Sequence, residues 1–133
     1  MPNIATGRFE VRLPTLPVEG EPENGPMGRR SLVKRFMGDL EAGGSGQMLM
    51  AMGQVPGSAG YVAVERVTGN LHGKDGSFVL IHRGIMNRGE QELLITVVPD
   101  SGTDALTGIT GTFRIRIENG VHYYDFEYEL PEV

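Results

Sequence analysis

The sequence predicts an all-β domain whose eight strands form a closed antiparallel barrel. Three observations carry that expectation. Apolar residues alternate with period two and almost nowhere with the period of a helix. Twenty Gly and eight Pro punctuate a chain rich in Val, Ile, Thr, Phe and Tyr. Between these breakers lie eight strand-like runs, at residues 3–13, 30–40, 45–53, 58–73, 77–87, 91–98, 109–118 and 121–130. So many strands with mostly short links fit a barrel or a sandwich, and closure removes exposed edges.

The 133 residues suit one domain, 1–133, large enough for a core without covalent staples. There is no Cys, hence no disulfide framework, thiolate metal site or thiol nucleophile. The chain opens Met1-Pro2-Asn3, without the basic-then-apolar pattern of a secretory signal. No apolar run approaches the ~18 residues of a membrane span. These features lead us to expect a cytoplasmic protein. Lys and Arg number 12 against 17 Asp and Glu, a net charge of -5 that disfavours nucleic acid and anionic membranes as partners.

Taken in order, the first strand is followed by PTLPVEGEPENGPMG (14–28), with four Pro, three Glu and no core pattern. It is expected as a long solvated loop, with a lid over the barrel mouth as the sharper alternative. In SLVKRFMGDL, Leu32, Lys34, Phe36, Gly38 and Leu40 share the apolar, inward face. GGSG (43–46) and the PDSGT stretch at 99–103 are expected as turns and lack the Gly-Lys-Ser/Thr of a phosphate loop. Met48, Met50 and Met52 alternate along the next run, as core, subunit contact or a soft adaptable surface.

Residues 58–87 read as a hairpin. A two-residue turn at Asp75-Gly76 sets Lys74 opposite Ser77 and Glu65 opposite Met86. Tyr61, Glu65, Val67, Leu71, Phe78, Leu80, His82 and Met86 then face inward, while Arg66, Thr68, Asn70, His72 and Arg83 face out. A three-residue turn with Gly76 left-handed would separate Glu65 from His82. In 112–130 the Asn119-Gly120 pair signals a type I′ turn. It places Ile117 opposite His122, Ile115 opposite Tyr124 and Phe113 opposite Phe126, all inward, with Arg114 opposite Asp125 outside.

The segments SAGYVAVERVTGNLHGKDGSFVLIHRGIMNRG (58–89) and VVPDSGTDALTGITGTF (97–113) resemble an uncharacterised domain-of-unknown-function family, widespread in bacteria. Its known folds are allene oxide cyclase-like barrels. The resemblance covers nearly the whole chain. The Gly-rich stretch with Ser101, Gly102, Thr103, Leu106, Gly108 and Gly111 is similar to a barrel turn of plant allene oxide cyclases and dirigent proteins. The resemblance implies an eight-stranded, calycin-like barrel with a central cavity. It implies no activity, because one fold hosts many functions.

The inward polar residues Lys34, Tyr61, Glu65, His82, His122 and Tyr124 are the candidate ligand-binding set. Buried charges must meet each other, water or a ligand. One reading is a polar network plugging the barrel, with Lys34 neutralising Glu65. The other is a pocket whose apolar wall includes Phe36, Leu40, Phe78, Phe113 and Phe126. We expect a barrel that binds an apolar or aromatic small molecule. The alternatives are an isomerase or cyclase-like enzyme using Glu65 as base and His82 as proton shuttle, and a structural protein with a filled barrel. No cofactor is expected. Glu65, His82 and His122 have metal-ligand chemistry but lack short metal-motif spacing, so no metal is expected either. There is no Gly-x-Ser-x-Gly elbow. Outward Val62, Val64, Val79, Ile81 and Ile85 predict a homo-oligomer, most simply a dimer.

Overall fold

The computed structural model describes residues 2–22 and 24–132. It contains β1 (Asn3–Arg12), β2 (Thr15–Leu16), β3 (Met27–Gly38), β4 (Leu40–Met52), β5 (Ala59–Leu71), β6 (Lys74–Asn87), β7 (Glu90–Val97), a 3-10 turn at Asp104–Leu106, β8 (Thr110–Glu118) and β9 (Val121–Glu129). Neighbouring strands run antiparallel in the order β1-β9-β8-β7-β6-β5-β4-β3-β2. β1 also pairs with β3, with Phe9 opposite Phe36 and Val11 opposite Lys34. That pairing closes eight strands into the expected barrel, and β2 is a two-residue addition to the edge of β3.

Three of the hairpin turns have both central residues at positive φ, the requirement of type I′: His72-Gly73, Arg88-Gly89 and Asn119-Gly120. The Asn119-Gly120 register is the predicted one throughout. The β5–β6 register is not. The turn is His72-Gly73 rather than Asp75-Gly76, so Leu71 faces Lys74 and Glu65 faces Leu80 instead of Met86. Three long-range contacts decide this. The carbonyl of Thr103 approaches Gly76 so closely that a Cβ there would collide with it. Ser77 backbone N–H donates to Thr103 Oγ1 at 3.0 Å. His72, expected on the outer face, sits in the turn with Nδ1 2.6 Å from the Tyr128 hydroxyl and Nε2 3.5 Å from Asp39 Oδ2. The displacement along β6 is an even number of residues, so every side chain but that of His72 keeps its predicted face.

Two glycine-rich readings also change. GGSG lies inside β4 as paired strand, and the corner between β3 and β4 is at Asp39. The 14–28 segment, expected as a solvated loop, holds the short strand β2. β2 hydrogen-bonds to β3 through Thr15 and Leu16, and Val18 packs with Met27, Leu49 and Val62 on the outer surface. Glu23 of that segment lies outside the described residues.

The core fills one half of the barrel. Phe36, Leu40, Phe78, Phe113 and Phe126 are all nearly inaccessible. They pack on one another rather than line a cavity: Phe78 stacks on Phe126 at 5.4 Å, and Phe113 on Tyr124 at 5.4 Å. Leu106 of the 3-10 turn and Ile109, just before β8, close that end. The Tyr124 hydroxyl donates to Met37 O at 3.0 Å and accepts from Leu40 N–H at 2.9 Å, so it clasps the β3–β4 corner. Burial pushes its pKa up to about 12.

Tyr124→Phe removes only that hydroxyl and leaves two buried backbone groups short of a partner. We expect a loss of about 1–3 kcal/mol in urea unfolding with an unchanged far-ultraviolet spectrum. Unchanged stability would show that the corner does not depend on the clasp.

Candidate functional site

Three candidate residues meet inside the barrel. Lys34 comes from β3, Glu65 from β5 and His82 from β6. Lys34 Nζ lies 3.1 Å from Glu65 Oε1, and His82 Nε2 lies 2.9 Å from the same oxygen. Glu65 is wholly inaccessible, and Lys34 and His82 nearly so. β4 runs between β3 and β5, so Lys34 must reach Glu65 over it. Lys34 is opposite Gly44, and Glu65 is opposite Gly46. A Cβ on Gly44 would collide with Glu65 Oε2. The glycines read as a turn are therefore a bare stretch of strand across which the carboxylate lies.

The electrostatics follow from this packing. Burial pushes the Glu65 carboxyl up, but the His82 hydrogen bond and the Lys34 charge outweigh it and hold its pKa below the usual value. Glu65 is therefore an anion that only accepts, so His82 donates its Nε2–H. Burial pulls the Lys34 ammonium down despite Glu65. Its charge also faces the Phe9 ring, with Nζ 4.9 Å from the centroid. Both donors sit on Oε1, while the buried Oε2 has no hydrogen-bond partner.

The other three candidates separate. Tyr61, on β5 two steps from Glu65, is half-buried with its ring over Gly84. Burial and the Glu65 charge push its phenol pKa up. His122 packs on the far side of Phe9, with ring centroids 5.2 Å apart, and lines a separate cleft of about 460 Å³ with Arg8, Val11 and Gly120. It does not join Glu65 and His82, and no group of three His, Cys, Asp or Glu side chains suited to a metal occurs among the described residues. Tyr124 is the corner clasp described above.

Above the cluster, the barrel opens in a mouth of about 300 Å³ lined by Met50, Met52, Tyr61, Gly84, Met86 and Leu93. Met50 and Met52 of the methionine stripe thus belong to the mouth. Strand pairing brings Met52, Ala59 and Met86 into one row across β4, β5 and β6. β7 and β8 pair only through Thr96 and Thr112, so the wall beside Leu93 is splayed. Leu93 was not singled out in the sequence. Its place on a predicted strand was legible, but the gap beside it was not.

The trio makes a sharp stability forecast. Lys34→Met leaves a carboxylate buried without its cation and should cost about 3–5 kcal/mol in urea unfolding at neutral pH. Replacing all three by apolar residues should recover most of that loss. Because the folded pKa of Glu65 is depressed, its contribution is present above the ordinary glutamate value and is lost as pH falls through the folded one. The Lys34→Met penalty should therefore shrink in acid. A Lys34→Met protein as stable as the parent would contradict the ion pair.

No helix among the described residues is long and apolar enough to cross a membrane. No curated protein matches the chain. A crystal structure of a protein of unknown function from Shewanella oneidensis MR-1, at 1.84 Å resolution, is 46% identical and superposes with a TM-score of 0.93 over 100% of both chains. Residues 5–128 match the family described as "Protein of unknown function (DUF3224)", to which that structure also belongs. Family match, identity and shared barrel agree, and the chain belongs to the DUF3224 family.

Proposed function

We propose that this barrel binds one small apolar or aromatic molecule in its mouth, seated on Tyr61 and the methionines above the Lys34–Glu65–His82 cluster. The observation that carries the reading is the contrast between the two ends. Leu106 and Ile109 fill the barrel interior at one end, where the surface cleft beside His72, Lys74 and Tyr128, about 480 Å³, is the more polar, while the other end carries a cleft of about 300 Å³ with a largely apolar lining. That volume is at the lower end for a small-molecule site. Methionines suit varied apolar shapes because their thioethers are flexible and polarisable.

Within the candidate set, Tyr61 is the residue that would touch the ligand, with its hydroxyl as the polar handle. Glu65, Lys34 and His82 lie beneath it and act on the ligand through the negative charge near Tyr61. His122 and Tyr124 take no part. The enzyme reading draws less support. A general base needs a lone pair within reach of substrate, and Glu65 is inaccessible and held ionised by two donors.

N-phenyl-1-naphthylamine, an uncharged aromatic probe, should bind with a saturable rise in fluorescence and one site per chain. Met52→Lys and Leu93→Lys place charge in the mouth at positions already 57% and 45% exposed, so folding should be unaffected. Each should weaken binding by about tenfold or more. No saturable signal, or binding that both variants leave unchanged, would overturn the proposal.

A further inference from the structure

We propose that the outer face of β4–β7 is the interface of a two-fold homodimer. Strand register sets its side chains in rows. Leu49, Val62, Arg83 and Leu94 form one row, and Gln47, Val64, Ile81 and Thr96 form the next. All point away from the core. Val62 and Val64 are 53% and 54% exposed, Leu94 51% and Ile81 45%. The outer face of an antiparallel sheet that meets water alternates to polar residues. The opposite wall of this barrel does so: Arg116 binds Asp125 at 2.8 Å, and Arg114 lies 3.6 Å from Glu127. The same chain thus builds one solvated wall and one aliphatic wall.

Size and charge argue for a second copy as the occupant. From Leu49 on β4 to Leu94 on β7 the face spans three interstrand spacings, about 14 Å, and seven residues of β4 give about 24 Å along the strands. A corrugated surface of that outline offers an accessible area of several hundred Å², the lower range of what each partner of a specific interface buries. Arg83 stands within the aliphatic rows, 4.0 Å from Glu92, and both remain largely exposed. Excluding water around Arg83 demands a closer carboxylate. A two-fold axis passing close to this pair would set Glu92 of the second copy against Arg83. Two twisted sheets packed face to face are a standard arrangement, with side chains interdigitating.

Light scattering coupled to size exclusion tests this directly. At tens of micromolar, an interface of about this size should give twice the 14.4 kDa chain mass. Val64→Arg and Ile81→Lys, at exposed positions, should each yield the single-chain mass with unchanged circular dichroism. Arg83→Glu and Glu92→Arg should each weaken the dimer, and the two together should restore it. A single-chain mass for the parent protein at about 100 μM would overturn the proposal. So would an oligomer that both folded aliphatic-face variants leave intact, or a charge swap that fails to restore the dimer.

Discussion

Holding one carboxylate ionised inside a small barrel forfeits several kcal/mol of hydration, and the residues around Glu65 are arranged to offset that cost. Lys34 and His82 converge on one oxygen at 3.1 and 2.9 Å. Their convergence dictates features elsewhere. The Glu65 carboxylate can lie across β4 towards Lys34 because Gly44 presents no side chain on the inner face. Phe9 must stay aromatic to face the Lys34 ammonium, and it thereby screens His122 from the cluster. Burial and, after it, the carboxylate raise the pKa of Tyr61, the cluster neighbour that borders the mouth.

The barrel is asymmetric along its axis and around it. Along the axis, stacked aromatics and the plug of Leu106 and Ile109 make a dry floor, the charged trio lies above it, and methionines rim an open mouth. Around the axis, the β8–β9 wall carries ion pairs and the β4–β7 wall carries aliphatics. A barrel serving only as a scaffold needs neither contrast. The proposed ligand site lies at one end and the proposed dimer face on one side, and the two meet at Glu92, which borders the mouth and stands on the outer face.

How much of this the sequence carries depends on whether the signal is local. Asn119-Gly120 and the alternation around it encode the β8–β9 register within twenty residues, and the structure matches it pair for pair. The β5–β6 turn was misread because Asp75-Gly76 is the stronger local signal, while the deciding contacts come from Thr103, Tyr128 and Asp39. Alternation still gave the right faces, which is why Glu65 and His82 were legible as inward. Alternation does not report height along the barrel. Tyr124 and His122 therefore looked like companions of Glu65 when they belong to the floor and to a separate cleft. GGSG read as a turn because glycine clusters usually are turns. Its place in β4 is explained only by a contact between residues 34 and 65.

The ionisation state of Glu65 is the premise on which the cluster, the reading of Tyr61 and the preference for binding over catalysis all rest. The direct measurement is a pH titration of the Glu65 side-chain carboxyl carbon by NMR, assigned by comparison with Glu65→Gln. The account predicts a midpoint below the ordinary glutamate value of about 4.3, with the carboxylate fully ionised at neutral pH. A midpoint well above that value would mean a neutral, proton-donating Glu65. It would contradict the ion pair with Lys34 and return the residue to the role of a catalytic acid or base.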